Sequence, residues 1–256
     1  MRRLFIGAGA VLSLFIVVIL LMIVLHPSPG VLISSIFSDE ITFAIWLSIA
    51  TSVTSTLLCI LVAVPASYAL ARYSFSGRNI INTILDMPLA LPPIVAGVGL
   101  LLFFSQTPVG MALAAAGIEF VFTPLGIVIA QFFVNLPFMV RIMRSTFQSI
   151  NPRYEHVART LGCSEFQALW RVTFPMAKDG FLAGTVITWA RGMGEFGAAL
   201  MVAGATKMKT ESLPVAVFLN MSTGNLDVAT SAAAILIVIA VLSLYVFERF
   251  GGSSKL

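Results

Sequence analysis

The sequence predicts an all-α, polytopic integral membrane protein with about six transmembrane helices. Hydrophobic residues make up 59% of the 256 residues, charged residues make up 10%, and the mean hydropathy is +1.01. A soluble domain carries about a quarter charged residues, so this composition indicates a chain solvated mainly by lipid. Several apolar runs also reach the roughly 20 residues that a helix needs to cross a bilayer. We expect residues 1–256 to form a single transmembrane domain.

Six apolar runs form the predicted spans, and polar or turn-forming stretches separate them. The first follows Met1-Arg2-Arg3 and lacks a small-x-small cleavage site, so we expect an uncleaved helix rather than a signal peptide. Pro65 lies inside the second run and is expected to kink it or to mark a helix break. The third run contains Asp86 and several prolines, which argue against one straight helix. The predicted spans are residues 4–25, 41–71, 80–104, 124–140, 181–203 and 228–247.

Basic residues are distributed unevenly between the two sides of this arrangement. Lys207 and Lys209 lie on the side away from the termini, Arg191 lies within a span, and the other basic residues share the side of both termini. Because cytoplasmic loops are enriched in Lys and Arg, this asymmetry predicts cytoplasmic termini and a multi-pass protein of the cell (plasma) membrane. It also accounts for the net charge of +4 without a nucleic-acid partner. The basic residues on the terminal side are Arg2, Arg3, Arg72, Arg78, Arg141, Arg144, Arg153, Arg159, Arg171, Lys178, Arg249 and Lys255.

The longest polar interruption, residues 155–175, has the pattern of two short helices separated by a glycine. Asn151 suits the N-cap of the first helix, and Gly162 supplies a C-terminal stop. Ser164 with Gln167 three residues later is a capping-box pattern for the second helix. Such a unit between two spans is suited to a membrane surface or to a groove on a partner protein. An interfacial helix pair that packs only on its own bundle remains the alternative.

Each of these two short helices carries apolar residues at helical spacing. On the second helix they form a stripe at i, i+3 and i+4. Pro175 is expected to mark the next change of direction. The apolar positions are Val157, Ala158 and Leu161 on the first helix, and Phe166, Leu169 and Trp170 on the second.

This stretch resembles the cytoplasmic EAA loop of ABC-importer permeases, written E-A-A-x-x-x-G and followed nine residues later by I-x-L-P. Ala158, Gly162 and Pro175 fall in register with that pattern. Val172 and Phe174 stand where the pattern has Ile and Leu. The resemblance implies that residues 151–175, called the coupling loop below, contact a separate ATPase.

The sequence departs from the family pattern at the start of the motif. His156 stands in the usual Glu position, Glu155 precedes it by one residue, and Val157 replaces the first Ala. The shifted carboxylate affects which contacts it makes, and the loop itself is still expected. The residues that the resemblance assigns to ATPase coupling are Glu155, His156, Ala158, Gly162, Phe166, Leu169, Trp170 and Pro175.

The fifth predicted span carries charge within the sequence WARGMGEFG, residues 189–197. Arg191 and Glu195 stand at i and i+4, so on a continuous helix they would share a face. An ionised residue at the bilayer centre costs roughly 2.5–3.5 kcal/mol on insertion scales, and pairing offsets part of that cost. The pair therefore has two interpretations. It is either a structural salt bridge or a group that lines or gates a polar pathway, for instance for an anion.

The chain from about Trp46 onward is similar to molybdate/tungstate permeases of ABC importers. The resemblance is most specific in residues 155–162 and 191–204, and Asp86 with its neighbouring prolines also agrees with that family. Sulfate permeases share a similar G-E-F-G segment. The resemblance implies a second copy of this subunit, a dimer of P-loop ATPase subunits, an extracytoplasmic oxyanion-binding protein and a tetrahedral dianion as substrate.

The chain carries no recognisable motif for its own chemistry. It has no G-x-x-x-x-G-K-[ST], no H-E-x-x-H and no G-x-S-x-G, so we expect no catalytic, cofactor-binding or metal-binding residues and ATP bound by the partner ATPase. The nearest alternative function is a sulfate/thiosulfate ABC permease. A secondary transporter is disfavoured because no inverted repeat is evident. An intramembrane enzyme is disfavoured because Asp86 and Glu195, the acidic residues placed deep in predicted spans, have no His partner there.

Overall fold

The structure is a computed structural model, and it describes the backbone of residues 1–251 and the side chains of residues 1–245. Within that range the regular elements are helices, without any strand. A π-helix, Leu169–Thr173, lies between α9 and α10. The α-helices are α1 (Arg2–Leu25), α2 (Pro29–Ile36), α3 (Asp39–Arg72), α4 (Arg78–Ala90), α5 (Pro93–Gln106), α6 (Pro108–Ala115), α7 (Pro124–Ser149), α8 (Arg153–Thr160), α9 (Glu165–Ala168), α10 (Phe174–Met176), α11 (Lys178–Met193), α12 (Gly197–Ala203), α13 (Leu213–Ser222) and α14 (Leu226–Gly251).

Among the described residues, four helices are long and apolar enough to cross a membrane, namely α1, α3, α7 and α14. They coincide with the predicted first, second, fourth and sixth spans. These helices confirm an all-α membrane protein that crosses the bilayer several times. The assignment of both termini to the cytoplasm stays a prediction, and Lys255 and the side chain of Arg249 lie outside the described residues.

The third predicted span is bent, as its prolines indicated. Helices α4 and α5 meet at an angle of 112°. Leu91 adopts an extended conformation between them because it precedes Pro92, and a residue before proline is pushed out of the helical region. Together α4 and α5 form either a broken span or a re-entrant segment. Pro65 does not have the same effect, since α3 continues through it as one helix of 34 residues.

The fifth predicted span is not one continuous helix, and that prediction is wrong. Helix α11 ends at Met193 and α12 begins only at Gly197. Two helices were also missed in stretches assigned to loops, namely α2 and α13. Each of them carries a proline in its first turn, where the missing N–H has no helical partner to lose. Both stretches were interpreted as connections between spans, whereas a proline in the first turn starts a helix in each.

Contacts divide the chain into two compact units, which are described separately. The first contains residues 1–48 and 205–241, and the second contains residues 49–204 and the segment that begins at Leu242. The second unit holds the coupling loop and the charged residues of the fifth predicted span. Its largest buried cluster joins side chains of α3 and α7, including Tyr68, Met143 and Phe147.

Small residues allow close helix contacts in the second unit. Helix α12 packs closely on α5 and α7, and α11 packs along α7. At Gly97 of α5, an added Cβ would lie 2.8 Å from the Cα of Ala198 in α12. That position therefore requires glycine for the two backbones to approach, which is typical of helix packing in membranes.

The first unit contains a charged cluster around the segment between α12 and α13. Glu40 accepts hydrogen bonds from Lys207 Nζ at 3.0 Å and from Asn220 Nδ2 at 2.7 Å. Glu211 is fully buried, and its Oε2 accepts the backbone N–H of Met208 at 3.0 Å. The hydrogen bond to Glu40 raises the pKa of Lys207, whereas burial raises the pKa of Glu211. These contacts fix the segment that carries the two lysines assigned to the extracytoplasmic side.

Candidate functional site

The coupling loop begins with a short helix whose two ends are set by local side chains and backbone. The Asn151 side chain accepts the backbone N–H of Arg153 at 3.0 Å, which satisfies a free donor in the first turn of α8. Gly162 follows the end of α8 with φ +94°. L-residues rarely adopt this left-handed conformation, so glycine here ends the helix and turns the chain. Gly162 confirms the predicted stop, whereas the N-cap position of α8 is Pro152, one residue after the predicted Asn151.

The second helix of the loop starts at a capping box, as predicted. Ser164 Oγ accepts the N–H of Gln167 at 3.2 Å, and the Gln167 side chain accepts the N–H of Ser164 at 3.0 Å. The helical backbone then continues through the π-helix and α10 to Ala177, directly before α11. The predicted change of direction at Pro175 is therefore wrong. Proline removes one N–H from a helix, and the widened π-turn before it accommodates that loss.

The two helical parts of the coupling loop, α8 with its C-cap Leu161 and residues 165–176, are called the coupling helices below, and they present an apolar surface to their surroundings. Leu161, Phe166 and Trp170 are 81%, 70% and 49% exposed. The Trp170 ring lies 6.1 Å from that of Phe166 and 4.8 Å from that of Phe174. Large apolar side chains are rarely left together in water without a partner, so this surface is suited to docking.

Not every predicted coupling residue belongs to that surface. Ala158 is buried, and Leu169 packs against the core cluster of α3 and α7, so the predicted stripe on the second helix is split between two sides. His156 is exposed and lies with Arg159 beside a groove of about 520 Å³. The outward group therefore comprises His156, Gly162, Phe166, Trp170 and Pro175, and the inward group comprises Glu155, Ala158 and Leu169.

Glu155 is the most highly connected side chain of the coupling loop. Its Oε1 accepts hydrogen bonds from Arg72 Nε and from the Thr173 hydroxyl, both at 2.7 Å. Its Oε2 accepts the Tyr68 hydroxyl at 2.9 Å. The residue is only 8% exposed, so the carboxylate is buried among three donors. The sequence did not indicate these partners, because two of them lie in α3, 83 and 87 residues before Glu155.

A second contact joins α3 to the other coupling helix. Tyr73, directly after α3, donates its hydroxyl to Glu165 Oε1 at 2.6 Å. This hydrogen bond raises the pKa of the Tyr73 hydroxyl, because ionisation would remove the donated proton. The end of α3 therefore contacts both α8 and α9.

Arg191 and Glu195 do not form the salt bridge that was one of the two interpretations of their spacing. No N–O distance within 4.0 Å joins these two described side chains. Arg191 is exposed, and its guanidinium lies 3.8 Å from the centre of the Phe138 ring. Glu195 is 8% exposed, and its Oε1 accepts the N–H of Ala198 at 2.9 Å. The two residues do not share the helix face that their i, i+4 spacing predicted, because α11 ends between them.

Asp86, which the sequence placed deep in a span without a His partner, is paired with arginine in the structure. Arg141 of α7 binds the two carboxylate oxygens of Asp86 through Nε at 3.1 Å and Nη2 at 3.3 Å. Arg144, one turn further along α7, lies 3.9 Å from the same carboxylate. This bidentate contact holds α4 against α7.

A group of buried polar side chains lies between α3, α7 and α11, and no motif in the sequence marks it. Gln131 is 1% exposed and donates to the backbone carbonyl of Gly192 at 2.9 Å. Asn135, also 1% exposed, lies close to Gly192, as do Ser52 and Ser55. These polar groups join the three helices inside the second unit, beside the turn of α11 that carries Arg191.

Solved structures of ABC transporters share this fold. The chain matches a subunit of a bacterial alginate ABC transporter in complex with an alginate pentasaccharide-bound periplasmic protein, with a TM-score of 0.74, 17% identity and coverage of 97% of this chain and 94% of that one. It also matches a chain of an inward-facing MetNI methionine ABC transporter, with a TM-score of 0.65, 16% identity and coverage of 86% and 100%. At these identities the comparison establishes the fold alone.

Sequence comparison then gives the family. Residues 63–250 match the family described as binding-protein-dependent transport system inner membrane component, and the chain belongs to that family. It is thus a multi-pass membrane protein and a permease subunit of an ABC importer.

Relatives in this family carry two kinds of name. The molybdenum transport system permease protein ModB of Mycobacterium tuberculosis is 38% identical over 200 residues, which cover 78% of this chain and 75% of that protein. A probable molybdenum ABC transporter permease of Haloferax volcanii is 34% identical over 229 residues, covering 90% and 82%. The sulfate transport system permease protein CysW of Synechocystis is 37% identical over 184 residues, covering 72% and 67%.

Proposed function

We propose that this chain is the permease through which an ABC importer carries a tetrahedral oxyanion, molybdate or tungstate, across the plasma membrane. The observation that carries this proposal is the similarity to permeases named for molybdenum transport, which extends over most of the chain. Sulfate import is the second candidate, because sulfate permeases match the chain at nearly the same identity. Molybdate, tungstate and sulfate are all tetrahedral dianions, so one pathway chemistry suits each of them.

The charged and polar groups of the second unit support an anionic substrate. Arg191 is an exposed cation without a carboxylate partner within 4.0 Å among the described residues. A guanidinium stacked on an aromatic ring keeps its N–H groups available to an oxyanion at the ring edge. A permease must also release its substrate, so one exposed cation is better suited to passage than a closed cage of donors.

The exposed apolar surface of the coupling loop supports an ATPase partner. In this proposal Phe166 and Trp170 enter a groove of the ATPase, and Gly162 sets the angle between the two coupling helices. ATP binding closes a dimer of ATPase subunits, and the loops pass that movement to two copies of this permease. An extracytoplasmic binding protein delivers the oxyanion, and no catalytic group or cofactor is required in this chain.

Uptake into proteoliposomes tests the substrate. The permease is reconstituted with its ATPase and a binding protein, and labelled molybdate, tungstate and sulfate are compared with ATP inside or absent. We expect ATP-dependent uptake of molybdate and tungstate that a large excess of sulfate does not compete away. Uptake of sulfate in preference to molybdate would establish the second candidate. Uptake that continues without the ATPase would contradict the whole proposal and indicate a secondary transporter.

A further inference from the structure

We propose that Glu155 is a positioning residue that joins the coupling loop to α3, so that both move together when the ATPase moves the loop. This inference rests on the proposed function, because it requires an ATPase that docks on the loop. It goes beyond docking, since the Glu155 carboxylate faces inward, away from the exposed surface of Phe166 and Trp170. The role is mechanical, and the groups that perform it are Tyr68, Arg72, Glu155 and Thr173.

The hydrogen bonds around Glu155 are short and buried, and the side chains of Tyr68, Arg72 and Glu155 also line a cavity of about 270 Å³. One carboxylate accepts three donors, at 2.7, 2.7 and 2.9 Å. The side chain of Arg72 is 7% exposed, Tyr68 is 7% exposed and Thr173 is fully buried. Charge-assisted hydrogen bonds of this length are the strong ones in proteins, and burial shields them from water and salt. A contact of this kind transmits displacement because its partners cannot separate without leaving buried charges unpaired.

Two of the three donors lie in α3, and the third lies in the coupling loop itself. Tyr68 and Arg72 lie one turn apart in the last part of α3, whereas Thr173 lies in the π-helix that follows α9. One residue more or fewer in a helix rotates the next side chain by about 100°. The π-turn therefore decides whether the Thr173 hydroxyl faces Glu155, which gives this rare element a function in the site.

Tyr73 adds a second connection between the same parts. Its hydrogen bond to Glu165 holds α9 to the end of α3. In the same way, the hydrogen bonds of Glu155 hold α8 to α3. Because α3 is joined to α8 and to α9 at two separate points, the coupling loop resists both rotation and translation relative to α3. Tyr68 also stacks edge-on against Phe147 of α7, with ring centres 5.5 Å apart, so displacement of α3 is passed into the core of the second unit.

A substitution at Glu155 should separate ATPase docking from the transmission of movement to α3. Replacing Glu155 with glutamine preserves shape but removes the charge, and it leaves the Arg72 guanidinium buried without a counter-ion. The docking surface is unchanged, so the ATPase should still bind and hydrolyse ATP. Because the contact between the loop and α3 is then formed less often, a movement of the loop is passed to α3 less often. Transport per ATP should therefore fall.

The test uses the complete complex of permease, ATPase and binding protein in proteoliposomes. For each variant, ATPase copurification, ATP hydrolysis, oxyanion uptake and the melting temperature of the complex are measured. We expect Glu155→Gln to retain the ATPase and its hydrolysis while uptake per ATP falls about tenfold, the shift given by losing one charge-assisted hydrogen bond. Glu119→Gln makes the same chemical change at an exposed residue outside the loop and should leave uptake per ATP unchanged.

A double variant separates transmission from simple destabilisation. Arg72→Gln alone should also reduce uptake per ATP, whereas Arg72→Gln with Glu155→Gln restores a neutral, hydrogen-bonded pair and should recover part of it. If Glu155→Gln fails to fold, the milder Thr173→Val and Tyr68→Phe variants are assayed in its place, and a smaller loss of uptake per ATP is expected from each.

The outcomes are distinguishable from failure of the proposed function. Failure of the wild-type complex to assemble or to import an oxyanion would overturn the proposed function. With an active wild type, Glu155→Gln at the wild-type uptake per ATP would overturn the positioning role. Release of the ATPase by Glu155→Gln would also overturn it, because the carboxylate would then serve docking.

Discussion

Glu195 accepts the backbone N–H of Ala198 at 2.9 Å, and so this acidic side chain satisfies the first turn of α12 instead of pairing with Arg191. An acidic group at a helix N-terminus is stabilised by free N–H groups and by the helix dipole. The charge of Arg191, four residues earlier, is therefore not required to hold Glu195 in place. The two residues have separate roles, and this separation can be measured.

We expect Arg191→Gln to reduce oxyanion uptake while the complex stays assembled. The variant loses the cation–π contact with Phe138, which at an exposed site contributes about 0.5–1 kcal/mol, so stability should change little. Arg191→Lys is the matched control, because it keeps the charge and loses the planar guanidinium. Uptake by Arg191→Lys should lie between wild type and Arg191→Gln. Full uptake by Arg191→Gln would remove Arg191 from the pathway.

The same variants test the absence of an ion pair. The effects of Arg191→Gln and Glu195→Gln on unfolding free energy should add within about 0.5 kcal/mol, as expected for residues without a direct contact. Thermal or denaturant unfolding of the purified permease in detergent measures this. A double variant that is clearly more stable than the sum of its singles would indicate that the two charges do pair in the membrane.

Local signals in the sequence predicted local structure well. The capping box of Ser164 and Gln167 and the stop at Gly162 depend on neighbouring residues, and both are present. Contacts between distant residues could not be predicted, because nothing in the residues around Glu155 indicates that Arg72 and Tyr68 surround it. That arrangement depends on the packing of whole helices.

The errors concern backbone breaks within apolar sequence. The segment around Arg191 and Glu195 was interpreted as one span because it lies within a continuous apolar run. Hydropathy indicates whether a segment lies in lipid or in water. It contains no signal for a helix break of three residues, such as the one between α11 and α12. The i, i+4 pair assumed a continuous helix, so one missed break changed the interpretation of both residues.

The orientation in the membrane is predicted from charge alone and can be tested by cysteine labelling. Gln148, near the end of α7, is exposed and should react only with reagent on the cytoplasmic side. Met208 is 51% exposed and should react only from outside, whereas the neighbouring Thr210 is fully buried and unsuitable. The background variant replaces Cys59 and Cys163 with serine, because Cys163 is partly accessible in the coupling loop. The reverse labelling pattern would place the loop where no cytoplasmic ATPase can reach it.

Trp170 is expected to contribute strongly to ATPase docking. It is 49% exposed and lies between two other aromatic rings, and tryptophan is over-represented among residues that dominate binding energy. Trp170→Ala should raise the Kd for the ATPase about tenfold or more, which corresponds to at least about 1.4 kcal/mol.

A matched control for Trp170 is available in α3. Trp46 is 68% exposed and lies outside the coupling loop, so Trp46→Ala removes an equal side chain without touching the docking surface. Binding of detergent-solubilised permease to immobilised ATPase measures both variants. Equal affinities for Trp170→Ala and wild type would show that this exposed aromatic surface does not bind the ATPase.

Gly162 should control coupling through its backbone rather than through contacts. An added Cβ would meet nothing within 4 Å, so a larger side chain fits, but φ is +94°. A β-branched residue in this left-handed conformation is strained by about 1–3 kcal/mol, and relief of that strain would redirect α9 relative to α8. We therefore expect Gly162→Val to release the ATPase or to hydrolyse ATP without transport, while the membrane helices stay folded.

Two further variants make the Gly162 prediction specific. Gly117 has φ +84° and equally open surroundings but lies outside the coupling loop, so Gly117→Val introduces similar strain without affecting the angle between α8 and α9. Asparagine tolerates the left-handed conformation, so Gly162→Asn should keep most of the coupling. Uptake and ATP hydrolysis in proteoliposomes should therefore be impaired by Gly162→Val and nearly normal in the other two variants. Equal impairment by Gly117→Val would assign the effect to general destabilisation, and normal transport by Gly162→Val would show that the angle between the two coupling helices does not govern coupling.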